Sequence, residues 1–470
     1  MKRPNILILY TDQQRWDALG ANGNHEIVTP NLDALAARGT SFTHHFVQNP
    51  VCMPSRISML SGRYPSSLGI SHMGVPVPEE VVTLPRILKQ YGYRSANIGK
   101  LHFRPHANRD HRLPHPSYGF DHLEIADEPG VYEDAYRAWA RRKAPEQMDG
   151  ISAGIPPAAR VWQRTMGIVD NVAHRGDPDG RYDFDGGIPF AADEDLTHSA
   201  FVGEQTSEFI RSAGDEPFFC IAGFYSPHAP WISPQKYLDL YEPAQLSVPQ
   251  YPSEIDQRRP KEPEAPFSDA QLRRAKRGYY AMISELDHYV GRILAALDSC
   301  GRSDDTIVVF TSDHGEWLGD HLRYGKGYPA DDAVSRVPLI VTLPDGRPRT
   351  HHGIVEAVDI APTLLELAGV QIPPFMQGES LAGIIEGEGK RKKDIAVTEG
   401  VGWKCLRRTQ YRYLIHADGR EMLWDIQADP GEYHDVSGSG EYAKALAECR
   451  QLLLKRLLEI ERPLPRTWTY

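Results

Sequence analysis

The sequence predicts an α/β sandwich: a large, mostly parallel mixed sheet covered by helices, followed by a small C-terminal antiparallel sheet with a terminal helix. Three observations lead there. Four short apolar runs, at residues 5–10 (NILILY), 93–98 (YRSANI), 217–224 (PFFCIAGF) and 305–310 (DTIVVF), each lead directly into a cluster of polar residues. Helical stretches separate these runs. From about residue 376 the texture changes to short segments joined by turns. Apolar runs without alternation are typical of strands covered on both faces, and strand–helix alternation is typical of a parallel sheet.

In chain order, residues 5–10 read as the first strand rather than as a secretory leader, because the run is short and Asp12 interrupts it before any small-residue cleavage site. Residues 29–39 carry a Thr cap, Pro in the first turn and Gly at the end, which predicts a helix, and residues 84–91 (LPRILKQY) open similarly and stop at Gly92. Residues 271–299 predict a longer helix whose Met282, Leu286, Val290 and Ile293 recur at three- and four-residue spacing. Residues 103–215 are rich in Pro, Gly, Asp and His and read as an irregular insertion, helical only at 132–143. An insertion of that length in a compact domain is a functional loop region, expected here to shape the pocket. Residues 242–268, rich in Pro and Glu, are expected to wrap the surface. Strands are predicted at 395–399, 403–408, 411–417 and 421–426, with HADGRE as a hairpin turn. A helix at 441–461 places Leu446, Leu453, Leu457 and Ile460 on one face. The expected organisation is a catalytic α/β domain over 1–375 and a C-terminal α+β subdomain over 376–470.

A net charge of −11 argues against a nucleic-acid surface. No run approaches the roughly 18 apolar residues of a membrane span, so no membrane partner is expected. The five cysteines are odd in number and lack paired spacing, which points to a reducing compartment and a cytoplasmic location. The aromatic tail PLPRTWTY points to contact with a second copy, hence a homo-oligomer.

Ligands of such folds sit beyond the carboxyl ends of the strands, so the four polar clusters should converge on one sheet edge. Asp12 and Asp313 each follow a strand, beside the further donors Gln13 and His314. Taken singly, an Asp in this position caps a helix or forms a turn. Two carboxylates at one edge repel unless they share a proton or a cation, and with these donors a divalent metal is the economical answer. Lys100, His102, His228 and Lys326 would singly be surface charges or members of polar networks. Around a metal they suit an anionic tetrahedral substrate and its leaving oxygen. Cys52 stands in VCMPSRISMLSGRY, where Pro54 opens a helix and Gly62 ends it. The helix dipole, Arg56 and Arg63 favour an anion there, so a buried thiol and a thiolate nucleophile both remain open.

Cys52-Met53-Pro54-Ser55-Arg56, followed by Leu60-Ser61-Gly62-Arg63, resembles the signature of the type I, formylglycine-dependent sulfatases of the alkaline phosphatase superfamily. NILILYTDQQRWDALG, GKLHF, SPHAP, TSDHGEWLGDH, GKGYPADDAVSRVPLIV and WDIQADPGE stand in family order across nearly the whole chain. The resemblance implies an alkaline-phosphatase-like sandwich, hydrolysis of a small sulfate monoester, and one divalent ion, Ca²⁺ or Mn²⁺. It also implies a formylglycine made from Cys52 by a formylglycine-generating enzyme. Asp12, Gln13, Asp313, His314 and the modified residue 52 resemble the metal ligands. Arg56 and Lys100 resemble the groups that hold the aldehyde hydrate and the anionic oxygens. His228 and Lys326 resemble the groups at the leaving alcohol, and His102 the base that releases sulfate from the covalent intermediate.

Asp12-Gln13 and Asp313-His314 depart from the Asp-Asp and Asp-Asn pairs of many sulfatases. They resemble the branch containing choline sulfatases and phosphonate monoester or phosphodiester hydrolases, whose reaction is the alternative. The change removes a negative charge and adds an imidazole, which makes Mn²⁺ a rival to Ca²⁺. GKLHF keeps the Lys-x-His of sulfatases. GISHMG lacks an Asn found in relatives, which makes His72 a candidate substrate contact, though the same residue reads equally as an ordinary loop position.

Overall fold

The computed structural model describes residues 3–105, 113–152, 186–346, 348–387, 389 and 393–461. Its strands, in chain order, are β1 (Asn5–Thr11), β2 (Thr40–Phe46), β3 (Arg94–Gly99), β4 (His122–Ile125), β5 (Ile188–Pro189), β6 (Phe218–Gly223), β7 (Ile232–Ser233), β8 (Thr306–Ser312), β9 (Leu339–Thr342) and β10 (Arg349–Glu356). β11 (Ala396–Gly400), β12 (Trp403–Arg407), β13 (Tyr411–His416) and β14 (Glu421–Asp425) follow. Eight of them form one sheet in the order β10-β2-β9-β8-β1-β6-β3-β4. Its centre, β8-β1-β6-β3, is parallel and consists of the four strands the apolar runs predict. β9 runs antiparallel to both β2 and β8, which makes the sheet mixed.

Successive side chains of a strand point to opposite faces, and both faces of this sheet are covered. Ile6, Ile8, Tyr10, Ile307 and Val309 pack on one side with Ile57, Leu84 and Leu364. Leu7, Leu9, Val308 and Phe310 pack on the other with Phe201, Leu286, Val290 and Ile293. This two-sided burial is why β1, β6 and β8 show no polar alternation. The helix Asp269–Ser299 carries the second layer, its first turn capped by the Ser268 hydroxyl, which accepts from the Gln271 N–H.

Residues 103–215 are more regular than the sequence suggests. They include β4, paired parallel to β3, and the helix His198–Ser212, which packs against Asp269–Ser299. The helix expected at 132–143 begins at Ala135, where the Asp134 side chain caps it. The helix at 198–212 escapes a reading by pattern because Ser199, Gly203, Thr206 and Ser207 occupy buried positions and blur its apolar period. β2 (TSFTHHF) and β10 (RTHHGIVE) escape it because polar residues interrupt them. Tyr136, Ile151 and Ser152 line a cavity together with Tyr225 and Ser226. The remainder of that region, 153–185, and the aromatic tail lie outside the described residues.

β11–β14 form the antiparallel sheet and the helix Ala443–Ile460 packs on it through Leu446, Leu453 and Ile460. Buried charges join this sheet to the loop after β8. Arg412 pairs with Glu432 and donates to the Pro329 carbonyl at 3.0 Å, and Arg407 pairs with Asp332 at 2.8 Å.

β3 and β6 end in unusually close contact. Gly99 has φ +91°, and a Cβ there would lie 2.1 Å from the Gly223 carbonyl oxygen, while one on Gly223 would lie 2.3 Å from the Lys100 carbonyl. Only glycines let both strands close on the 2.7 Å bond from the Lys100 N–H to Gly223. Gly99→Ala is therefore expected to cost at least about 1–3 kcal/mol from backbone strain, before the clash is added. The expected readout is a lower midpoint in a circular dichroism melt, or loss of soluble protein. A melt equal to the wild type would contradict the close approach.

Candidate active site

Because β8, β1, β6 and β3 are parallel neighbours, their carboxyl ends share one edge. Asp12 follows β1, Asp313 and His314 follow β8, Lys100 follows β3, and His228 lies just beyond β6. The helix Cys52–Ser61 enters this edge by its N-terminus, with Val51 as N-cap and Gly62 closing it at φ +65°. The Ser55 hydroxyl donates to the Asp313 carbonyl at 2.5 Å and so fastens the helix to the end of β8.

The Cys52 Sγ lies 3.7 Å from each Asp12 carboxylate oxygen, 3.3 Å from His314 Nε2 and 2.9 Å from Lys326 Nζ. Lys100 Nζ is 2.6 Å from Asp12 Oδ2 and 4.8 Å from the centre of the Tyr225 ring. Arg56 bridges the two carboxylates, with Nε 2.7 Å from Asp313 Oδ2 and Nη2 3.6 Å from Asp12 Oδ2, and stacks over Tyr10. Asp12, Cys52, Asp313 and His314 offer ligand atoms within 4.8 Å of one another.

Burial alone would favour a neutral Asp12 carboxyl. Lys100, Lys326 and Arg56 outweigh it, leaving the carboxyl well below its usual range. Burial lowers Lys100 and Arg56, but the carboxylates beside them hold both above their ordinary values. Cys52 behaves oppositely. Burial, reinforced by Asp12, pushes its thiol up to about 12, so near neutral pH it is a thiol and not a thiolate. That removes the thiolate reading of the helix mouth, because desolvation and two carboxylates exceed the opposing pull of Lys326 and Lys100. Burial also brings His314 down to about 4. Its Nδ1 faces the Gly315 carbonyl at 2.9 Å, so the proton sits on Nδ1 and the Nε2 lone pair faces the cluster.

The sulfatase family model matches residues 4–370. The chain belongs to the sulfatase family. It is thus a sulfuric ester hydrolase of the alkaline phosphatase superfamily. A second model, N-sulphoglucosamine sulphohydrolase, C-terminal, matches residues 319–460. The chain is 28% identical to an arylsulfatase of Clostridium perfringens over 97% of its own length and 94% of that protein. It is 26% identical to a choline-sulfatase of Rhizobium meliloti over 93% of its own length and 82% of that protein. In fold it resembles the phosphonate monoester hydrolase of Agrobacterium radiobacter, with TM-score 0.80, 24% identity, and 97% and 96% of the two chains covered.

Gln13 stands beside the sulfatase cluster, its N–H donating to Asp313 Oδ1 at 3.0 Å, with φ +70°, rare outside glycine. Its side-chain Oε1 is buried and makes no hydrogen bond. A buried orphan amide oxygen, two carboxylates and an imidazole lone pair together fit a divalent cation. His102 is buried on the turn after Lys100 with φ +55°, and its N–H donates to Asp127 Oδ1 at 2.8 Å. His228 is buried beside Tyr225, ring centres 4.9 Å apart, and its Nδ1 faces the Ala229 carbonyl at 2.6 Å. His72 is exposed at a turn, with its Nδ1 toward the neighbouring Met73 carbonyl. Sequence reasoning assigns no role to Asp127, which holds the turn of His102, or to Tyr225, which underlies Lys100. An aromatic residue just before SPHAP is the available signal for Tyr225.

An unmodified Cys52 in the folded chain is expected to resist iodoacetamide at pH 8, since the thiolate is the reactive form and this one is suppressed. Peptide mass spectrometry after timed alkylation checks this against the half-buried Cys300. Labelling of Cys52 as fast as of Cys300 would contradict the electrostatics above.

Proposed function

We propose that the protein hydrolyses a small sulfate monoester to inorganic sulfate and an alcohol, using a formylglycine made from Cys52 and one divalent ion, Ca²⁺ or Mn²⁺. The observation that carries this reading is the setting of position 52. A thiol held neutral is a poor nucleophile, yet its side chain stands at the meeting point of Asp12, His314 and Lys326. An aldehyde hydrate there would supply a nucleophilic hydroxyl and a route for releasing the product. The ion, held by Asp12, Gln13, Asp313, His314 and residue 52, would supply charge neutralisation.

The chain's own residues account for the rest. Arg56 and Lys100 bind the anionic oxygens and keep Asp12 ionised. Lys326, whose Nζ lies 4.0 Å from Asp12 Oδ1, is the proton donor for the leaving oxygen. His228 carries its proton on Nδ1, against the Ala229 carbonyl, so Nε2 accepts a hydrogen bond from the alcohol and orients it. His102 acts as the base that removes the proton whose loss frees sulfate.

This reading requires a formylglycine-generating enzyme as a partner in maturation. The five unpaired cysteines support a reducing, cytoplasmic setting. Among the described residues no helix is long and apolar enough to cross a membrane.

Conversion of Cys52 to formylglycine lowers the mass of its peptide by about 18 Da, the difference between a CH₂SH and a CHO group, and that peptide should be found in native-host protein. Cys52→Ala should lower kcat/KM for an aryl sulfate by at least about 1,000-fold. Comparing an aryl sulfate, a phosphodiester and a phenylphosphonate should rank the sulfate first. Sulfate in last place would instead establish the phosphonate monoester or phosphodiester reaction.

A further inference from the structure

Glu316 is fully buried two residues beyond His314, and none of the roles above uses it. Its carboxylate has three partners. Oε1 accepts from the Leu318 N–H at 3.1 Å and from the Gly325 N–H. Oε2 accepts from the Gln13 side-chain amide. The Trp317 N–H donates to the Gly325 carbonyl at 3.0 Å, closing the loop at the same place. Gly325 precedes Lys326, whose Nζ reaches Cys52.

Both Glu316 oxygens serve as acceptors here, Oε1 for two backbone N–H groups and Oε2 for the Gln13 amide, whereas a glutamine amide has one accepting and one donating end. Opposite Glu316, therefore, the Gln13 NH₂ must turn toward the carboxylate, which leaves Oε1 as the end free for another partner. Oε1 is the atom that is buried without a hydrogen bond. Without Glu316 the amide has no preferred sense, and with its NH₂ reversed it could not ligate a cation.

We infer that Glu316 is a positioning residue that sets the sense of the Gln13 amide so that its oxygen serves as a metal ligand, while the same carboxylate holds the loop that delivers Lys326. This rests on the proposed metal site. It assigns Glu316 no contact with substrate.

The discriminating variant is Glu316→Gln. The new side chain keeps an oxygen for the Leu318 and Gly325 N–H groups but turns an NH₂ toward Gln13, so the Gln13 amide must reverse. Mn²⁺ binding to the purified full chain is measured by electron paramagnetic resonance of the free ion, and folding by thermal melting of the metal-stripped protein. Glu316→Gln should weaken Mn²⁺ binding by about 10–100-fold, as expected for loss of a group that orients a ligand, with the metal-free melt near the wild-type value. Adding Gln13→Glu restores the donor–acceptor match, because the amide introduced at position 316 then donates to a carboxylate whose second oxygen faces the site. The double variant should recover most of the lost affinity. Wild-type affinity in Glu316→Gln, or no recovery in the double variant, overturns the inference. If the wild-type chain itself binds neither Mn²⁺ nor Ca²⁺, the metal reading falls, and this inference falls with it.

Discussion

Everything at the sheet edge depends on keeping the buried Asp12 carboxylate charged. Asp12 has no solvent exposure, and an isolated carboxylate in such a place would take up a proton. Arg56, Lys100 and Lys326 prevent this from three different directions: the helix after β2, the end of β3, and the loop after β8. Removing one partner of a buried pair typically costs about 3–5 kcal/mol, because the other charge is left uncompensated. The cations that would grip an anionic substrate are thus also the ones that make the site tolerable to the fold.

That balance explains features far from the cluster. The paired glycines at the ends of β3 and β6 bring Lys100 close enough to act on Asp12 while it sits over the Tyr225 ring. The small C-terminal sheet contributes through Arg407 and Arg412, which reach the loop carrying Lys326 at Asp332 and Pro329. Its tie to that loop is one ion pair and one hydrogen bond to a carbonyl, so the position of Lys326 depends on the C-terminal sheet as well as on the large one. Glu316 ends the same loop on its inner side and links it to Gln13. Ligand orientation and cation placement therefore share supports.

Much of the site was legible in the sequence because its residue types are demanding and local. An Asp beside a second donor after an apolar run, a Lys-x-His after a glycine, and a Cys-x-Pro-Ser-Arg at a helix start each announce chemistry without knowledge of the fold. Strand pattern was equally legible for β1, β6 and β8, where both faces are apolar. It failed for the helix His198–Ser212 and for β2, whose buried positions include Ser, Thr, Gly and His, and for β10, whose first five residues are polar or Gly and not buried. Local pattern records hydrophobicity, while these elements are buried by what packs on them.

The sequence by itself determined the kinds of groups at the site, their places at strand ends, and the membership of the family. Only the tertiary structure decided which groups touch. The strands follow one another along the chain as β1, β3, β6, β8 but lie side by side as β8, β1, β6, β3, so that Asp12 meets Asp313 across some 300 intervening residues. It also decided that Cys52 is held as a thiol: its pKa depends on burial and on two carboxylates contributed by distant segments, and these exceed the opposing pull of Lys326 and Lys100. Hydrophobic pattern is short-range information, whereas the charge state of a buried group is set by every neighbour the fold brings to it.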